Sequence, residues 1–230
     1  AELRAKFGIS ASTDNLDVIE NSDVLILAVK PQVMEQVLTP LREMLRTRKP
    51  LLISIAAGIT LRNLESWIDP DMSLVRCMPN TPALVGAGVS GLCPALRVSE
   101  RDRQLTEDII GSVGPVHWVA DEAQLDALMA ISGCGPAYFF AFVEHLETAG
   151  KQLGLPEEMA EELAAQTAWG SIKLLHETQT PPAELRRRVT SPGGTTQAAL
   201  EQFAADDLAG IVQRATKAAV QRATELAGDD

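Results

Sequence analysis

The sequence is poor in cysteine, with three in 230 residues: Cys77, Cys93 and Cys134. The number is odd, no C-x-x-C spacing occurs, and the three histidines are scattered (His117, His145 and His176). This pattern excludes a disulfide framework and a zinc site of the usual spacing. We therefore expect a cytoplasmic protein without a bound metal ion, because disulfides are rare in that reducing compartment.

Positive charge is also scarce, since 20 lysine and arginine residues stand against 31 aspartate and glutamate residues. The resulting net charge of −11 argues against binding to nucleic acid, whose affinity comes from neutralised phosphates. The short basic run Arg186–Arg188 is typical of a solvated helix face. We also find no apolar run of the ~20 residues that a membrane helix needs, so we expect no membrane partner.

The first half of the chain alternates short apolar runs with helical patterns. The runs 23–29 and 50–58 are continuously apolar, as in strands buried on both faces. Three more runs predict strands at 73–79, 87–94 and 115–119. Helical spacing follows Pro31, and Thr60 and Ser99 stand where helix caps are expected. This alternation predicts a mostly parallel sheet covered by helices, over residues 1–119.

From residue 120 to residue 230 the strand patterns stop, and alanine and leucine dominate. Helical periodicity predicts an all-helical second domain, with segments at about 121–131, 136–153, 156–176, 182–188, 195–204 and 206–227. The segment from 136 begins PAYFFAFV and is apolar nearly all round. Such a helix is buried on every side, and we expect a second subunit to cover it.

Small residues mark the ends of the first two predicted strands. AVKP (28–31) ends one strand and AAG (56–58) ends the next. Open α/β sheets bind ligands at the carboxyl ends of their strands, and small residues there let a flat ring or a ribose approach the backbone. Ordinary strand-to-helix turns use the same residues, so both interpretations stay open.

Two other loops carry polar or glycine-rich sequence. CMPNTPALVGAG (77–88) has two prolines around Asn80 and Thr81, which stiffen the loop and offer polar groups; a structural turn accounts for them equally. SGCGPAY (132–138) opens the apolar helix, and its Cys134 fits a small packed residue better than a nucleophile.

The segment SPGGTT (191–196) precedes a helical run. A helix N-terminus has unpaired N–H groups and a partial positive charge, so it can hold an anion. Gly193 and Gly194 exceed what a simple cap needs, and Thr195 and Thr196 add hydroxyl groups. The segment is either a helix start alone or the seat of a carboxylate or phosphate.

Several motifs together resemble those of the pyrroline-5-carboxylate reductases. They are SDVLILAVKPQ, SIAAGI, RCMPNTPALVGAG, DALMAISGCGPAYFFAFVEHL and RRRVTSPGGTTQAALEQF, in this order and over essentially the whole chain. The resemblance implies a Rossmann-type cofactor domain followed by a helical dimerisation domain, with dimers assembling into larger homo-oligomers. It also implies reduction of the cyclic imine 1-pyrroline-5-carboxylate to L-proline with NADPH or NADH.

The same resemblance implies roles for individual residues. The backbone of the 191–196 segment would hold the substrate carboxylate, and Thr196 would hydrogen-bond the ring nitrogen as the catalytic residue. Glu122 would belong to the substrate region. The residues implied in substrate binding are Glu122, Ser191, Gly193, Gly194, Thr195 and Thr196, and those implied in cofactor binding are Asn15, Ala28, Val29, Lys30, Pro31, Ile55, Ala56 and Ala57.

The chain departs from the family pattern in two places. Cys134 stands where the family has serine, a near-isosteric change. The family's glycine loop GxGxxG, which follows a first strand and opens a helix, is absent ahead of the run at 23–29. The opening sequence AELRAKFGISAS matches the family's interior, so we expect a longer protein in which the first strand, helix and second strand come earlier. The residues that select NADP or NAD would lie there.

Two other functions stay open at this stage. One is a related reductase such as a 3-hydroxyacid dehydrogenase, for which Lys173 is the candidate acid–base residue, although no matching motif surrounds it. The other is a non-enzymatic dimeric scaffold that has lost dinucleotide binding.

Overall fold

The computed structural model describes residues 2–228. Contacts divide the chain into two compact units, one formed by residues up to Cys134 together with those from Ala219 onward, and the other by Gly135–Ala218. We call them the sheet unit and the helical unit. The predicted domain boundary at residues 119 and 120 stays a prediction.

The sheet unit contains a five-stranded sheet in the sequential order β1-β2-β3-β4-β5. Strands β1, β2 and β3 are parallel, β4 runs antiparallel to β3, and β5 is parallel to β4. Strand β2 is buried along its whole length, as its apolar run predicted, and β3 is buried as well although it contains Arg76. The predicted burial of the 23–29 run on both faces is wrong, because β1 lies at the edge of the described sheet and none of its residues is buried. The strands are β1 (Val24–Leu27), β2 (Leu51–Ser54), β3 (Leu74–Met78), β4 (Ser90–Pro94) and β5 (Val116–Trp118).

Helices connect these strands. They are α1 (Glu2–Phe7), α2 (Asn15–Glu20), α3 (Met34–Leu38), α4 (Arg42–Arg48), α5 (Leu61–Trp67), α6 (Glu100–Ile110) and α7 (Glu122–Leu128). The predicted caps are confirmed, since Thr60 and Ser99 each accept the N3 backbone N–H in a capping box. The prediction of one continuous helix after Pro31 is wrong. A 3₁₀ turn at Thr39–Leu41, which contains Pro40, separates α3 from α4.

The helical unit consists of helices that bury little within the chain. Its buried residues in the described range are Gly135, Ala160 and Ala164, all small. Large apolar side chains such as Phe140 (68% exposed) and Trp169 (60% exposed) face outward. The helices are α8 (Gly135–Gln152), α9 (Glu157–Thr178), α10 (Pro182–Arg188), α11 (Thr195–Ala205) and α12 (Leu208–Ala227), the last of which ends in the sheet unit.

A π-helical turn at Met129–Gly133 joins α7 to α8. The resulting helical stretch 122–152 is long and apolar enough to cross a membrane by length and composition, with 11% of its most apolar window buried inside the chain. The expectation that the chain has no apolar run long enough for a membrane helix is therefore wrong by length and composition. It failed because glycines, one serine and a proline interrupt the apolar residues without adding charge.

Candidate active site

The small residues at the two strand ends lie next to each other. Strands β1 and β2 pair in register from Val24 and Leu51 to Leu27 and Ser54. One residue further on, the Ile55 N–H donates to the Leu27 carbonyl at 3.2 Å. AVKP (28–31) and IAA (55–57) therefore leave the sheet side by side.

These strand ends form an exposed surface of small side chains. Ala28, Val29, Lys30 and Ala57 are exposed, whereas Ala56 is buried. Lys30 precedes the 3₁₀ turn that Pro31 begins, and its backbone is extended. Such a surface fits a flat ring or a ribose at Ala28 and Ala57, whose side chains are too small to keep a ligand from the backbone.

Asn15 begins α2, where the Asp14 carboxylate caps the helix by accepting the Leu16 N–H at 2.9 Å. Asn15, Ala28 and Val29 share one cavity of about 130 Å³. The rest of its lining is aliphatic. Ligand pockets typically enclose ~300–1,000 Å³, so this cavity can accept only part of a dinucleotide.

The Asn80 side chain is used within the sheet unit. Its Nδ2 donates to the Ser132 carbonyl at 3.0 Å, and its Oδ1 accepts the Val89 N–H at 2.9 Å. Both contacts tie the loop after β3 to neighbouring chain segments, including the π-helical turn. These bonds support the structural interpretation of the loop.

None of the cysteines has the environment of an activated nucleophile. Burial raises the pKa of the Cys77 thiol to about 12 and that of the Cys93 thiol to about 11, so both are protonated at neutral pH. Cys134 lies half-buried with its Sγ 3.5 Å from the Met129 Sδ. Among residues 2–228, no group of three or more His, Cys, Asp or Glu side chains could hold a metal ion.

Glu122, at the start of α7, binds two partners through one carboxylate oxygen. Its Oε1 accepts a hydrogen bond from Arg76 Nη1 at 2.7 Å and another from the Leu61 N–H at 2.9 Å. Sequence reasoning missed Arg76, which is 2% exposed in the middle of β3. A lone arginine inside an otherwise apolar strand was the available signal, because buried guanidinium groups are almost always paired.

The SPGGTT segment forms a tight turn into α11. The Gly194 N–H donates to the Ser191 carbonyl at 3.0 Å, and Gly193 adopts a left-handed φ of 69°. Gly194 is the N-cap residue and supplies no side-chain hydrogen bond. The first helical bond runs from the Ala198 N–H to the Gly194 carbonyl, so the N–H groups of Thr195 and Thr196 have no helical acceptor.

Gln197 was missed by the sequence analysis. Its Oε1 accepts the Gly193 N–H at 2.7 Å, which closes the turn from the helix side. A glutamine at the third helical position is part of the capping-box signature, so the signal was present. Within the described part of the chain, the hydroxyl groups of Thr195 and Thr196 make no hydrogen bond and are exposed.

The basic run Arg186–Arg188 lies at the end of α10. Arg187 and Arg188 both bind Glu184, and their hydrogen bonds lower the pKa of that carboxyl group. This pairing on an exposed surface fits the solvated helix face.

The predicted site residues thus occupy both units. Asn15, the 28–31 and 55–57 segments and Glu122 belong to the sheet unit, and the 191–196 segment belongs to the helical unit.

Two family models match parts of the chain. Residues 122–226 match the family model described as pyrroline-5-carboxylate reductase dimerisation. Residues 1–58 match the model described as NADP oxidoreductase coenzyme F420-dependent. Both matches agree with a Rossmann-type domain followed by a helical one.

Comparison with individual relatives indicates the same family. A pyrroline-5-carboxylate reductase of Pseudomonas aeruginosa is 43% identical over 99% of this chain and 83% of the relative. The structure of a pyrroline-5-carboxylate reductase from Coxiella burnetii superimposes with a TM-score of 0.91 at 41% identity, covering 97% of this chain and 83% of that one. The Plasmodium falciparum pyrroline carboxylate reductase, solved with NADP bound, has a TM-score of 0.86 at 32% identity, covering 96% and 84%. The chain therefore belongs to the pyrroline-5-carboxylate reductase family.

Proposed function

We propose that this protein reduces 1-pyrroline-5-carboxylate to L-proline, using NADPH or NADH, as the last step of proline biosynthesis. The observation that carries the proposal is the start of α11, where the Thr195 and Thr196 N–H groups lack a helical acceptor. A carboxylate is the ligand that such a helix start favours, and the substrate carries one beside its ring nitrogen.

In this proposal the 191–196 segment holds the substrate. The free N–H groups bind the carboxylate, and the glycines leave room for it. Thr196 then lies next to the ring, and its hydroxyl group donates to or accepts from the imine nitrogen. A hydroxyl group has too high a pKa to be a strong acid, so Thr196 orients the nitrogen. The proton comes with the protonated imine or from water.

The cofactor would lie along Asn15, Ala28–Pro31 and Ile55–Ala57. When bound, NAD(P)H supplies a hydride from nicotinamide C4 to the imine carbon. The exposed small side chains at the two strand ends support this placement, because they allow a ring to contact the backbone. The protein's contribution is to hold the two rings in contact and in the right orientation.

We infer that a second copy of the chain covers the helical unit. The only buried residues described there are Gly135, Ala160 and Ala164, too few to stabilise five helices. The dimerisation model matched by residues 122–226 supports a homo-oligomer. A partner subunit would cover the apolar stretch 122–152, so we propose a cytoplasmic protein with no membrane or nucleic-acid partner. Further assembly of dimers is part of this proposal.

The assembly proposal predicts that sedimentation velocity of the complete protein shows dimers or larger species at micromolar concentration. Replacing Phe140, which is 68% exposed, with Asp should shift the population toward monomer, because a buried charge at the interface costs several kcal/mol. Arg101→Glu, an exposed change on α6 in the sheet unit, serves as a comparison for surface charge. A monomeric wild-type protein at high concentration would contradict the proposal.

The alternatives have less support. Lys173, the acid–base candidate of a 3-hydroxyacid dehydrogenase, is about half exposed; its Nζ lies 3.7 Å from Glu177 Oε1 and 5.9 Å from the centre of the Trp169 ring. A non-enzymatic scaffold would need the helical unit for assembly, but it would have no use for the exposed surface at the ends of β1 and β2.

The activity itself is tested by cofactor oxidation. The protein encoded by the complete gene, supplied with 1-pyrroline-5-carboxylate, should oxidise NADPH or NADH, with the loss of absorbance at the nicotinamide band matched by proline formed. A 3-hydroxy acid with oxidised cofactor should give no turnover. The opposite pattern would establish the dehydrogenase, and no turnover of either would favour the scaffold.

A further inference from the structure

Arg76 carries a positive charge into the interior of the sheet. It pairs in register with Ser54 on β2 and Cys93 on β4, both buried. Such a guanidinium must be balanced by negative charge, since the cost of burying it alone is several kcal/mol. Glu122 supplies the closer carboxylate at 2.7 Å, and Asp126, one turn later on α7, supplies the second at 3.3 Å.

The Glu122 carboxylate has a second partner besides Arg76. The Glu122 Oε1 that receives Arg76 also accepts the Leu61 N–H at 2.9 Å. Leu61 is the first residue of α5, so its N–H has no acceptor within the helix. A carboxylate at this position is stabilised both by the hydrogen bond and by the partial positive charge of the helix start. Glu122 thereby joins α7, β3 and the N-terminus of α5 through one oxygen atom.

The N-terminus of α5 is where the segment 55–60 ends. That segment leaves β2 beside β1, held there by the bond from the Ile55 N–H to the Leu27 carbonyl. At its far end, the Thr60–Asn63 capping box connects Thr60 only to its own helix. Glu122 supplies a hydrogen bond from the helix start to the neighbour of β3, in addition to the packing of Leu61 against the core. The segment between these two anchors carries Ile55, Ala56 and Ala57.

We propose that Glu122 is a positioning residue for the nicotinamide cofactor, acting through Leu61 on the 55–60 segment. This role rests on the proposed binding of NAD(P)H at the ends of β1 and β2. It differs from the substrate contact implied by the family resemblance, because it requires no contact between Glu122 and the imine. Arg76 fixes the position of the Glu122 carboxylate. The hydrogen bond from the Leu61 N–H to that carboxylate then keeps the 55–60 segment in the conformation that binds the cofactor.

Three variants of the complete protein separate these roles, and a fourth stands in for the first if it does not fold. Glu122→Ala removes both hydrogen bonds, whereas Glu122→Gln keeps an oxygen that can accept from Arg76 and from the Leu61 N–H. Asp126→Asn is the matched control, because it alters the other carboxylate on Arg76 and leaves the Leu61 contact intact. Glu122→Asp keeps the charge but shortens the side chain, and it replaces Glu122→Ala if that variant does not fold.

The measurements are the Kd of NADPH and of NADH without substrate, from nicotinamide fluorescence, and amide hydrogen exchange of the peptide containing Leu61. The KM for the imine is measured at saturating cofactor. We expect Glu122→Ala to raise the better cofactor's Kd about tenfold, because, of its two lost bonds, the one to the Leu61 N–H is the bond that holds the 55–60 segment. Exchange at Leu61 should accelerate in the apo protein. Glu122→Gln and Asp126→Asn should both stay within about threefold of wild type in Kd.

Three results would overturn the proposal. In the first, the imine KM rises in Glu122→Ala while the cofactor Kd stays unchanged, which identifies a substrate contact. In the second, Asp126→Asn raises the Kd as much as Glu122→Ala, which identifies a general effect of disturbing Arg76. In the third, neither the Kd nor the exchange of Leu61 changes. Failure of the wild-type protein to bind either dinucleotide would instead refute the proposed function, and it is recognised without any variant.

Discussion

Thr196→Val should lower kcat for imine reduction about 100-fold, with the Kd of NAD(P)H within about twofold of wild type. Valine has nearly the same shape as threonine but no hydroxyl group, so the imine nitrogen loses its hydrogen-bonding partner. The Thr196 side chain is exposed and its hydroxyl makes no hydrogen bond in the described part of the chain. Folding should therefore be little affected, and the loss should appear in catalysis.

Thr196→Ser is the matched control for this prediction. Serine retains the hydroxyl group at the second helical position, so it should recover most of the lost kcat. Stopped-flow measurement of cofactor oxidation gives the chemical step, and fluorescence titration gives the cofactor affinity. A Thr196→Val protein with normal kcat and weakened cofactor binding would show that the proposed role of Thr196 is wrong.

Gly114→Ala should destabilise the sheet unit by about 3–5 kcal/mol, among the largest effects expected of a single methyl group. Gly114 has a φ of 143°, and a Cβ placed there would lie 1.9 Å from the Gly88 carbonyl oxygen. The obstacle is backbone, so no side-chain rotation relieves it. The same two segments are joined by the bond from the Gly88 N–H to the Val113 carbonyl at 2.9 Å. The added methyl group would therefore separate the segments that lead into β4 and β5.

Gly111→Ala provides the comparison within the same connection. Gly111 has a right-handed helical φ of −64°, and a Cβ there meets no atom within 4 Å. This change should be neutral or stabilise the protein by about 0.5 kcal/mol through the unfolded chain. Urea-induced unfolding at fixed protein concentration measures both variants. Equal destabilisation by the two substitutions would contradict the argument from the Gly88 contact.

The sequence predicted the features of the fold that local patterns determine. Burial on both faces made the β2 run continuously apolar, and Thr60 and Ser99 cap their own helices, so each is visible within a few residues. The equally apolar β1 run gave no sign that its strand lies at the edge of the described sheet. The six-residue helix α2 was missed because it is shorter than two helical turns. The π-helical turn at Met129–Gly133 was missed because helical periodicity continues through it.

For the candidate site, the sequence predicted segments better than contacts. The adjacency of AVKP and IAA follows from the parallel pairing of consecutive strands, so their placement was predictable. The Glu122 contacts were not, because Arg76 and Leu61 lie 46 and 61 residues away and meet it only in the folded chain. Motif position alone implied a substrate role for Glu122 without showing what its carboxylate contacts. The observed contacts are what indicate a different role for Glu122.

The last helix also has a consequence for how the protein is made. Gly58 directly follows the candidate cofactor segment, and a Cβ there would lie 3.4 Å from the Cβ of Leu226 near the end of α12. Residues from Ala219 onward pack with the sheet unit, which otherwise consists of the first part of the chain. A ribosome therefore delivers the sheet long before it delivers the helix that packs beside Gly58. The surroundings of the candidate cofactor segment are therefore completed only when α12 has been synthesised.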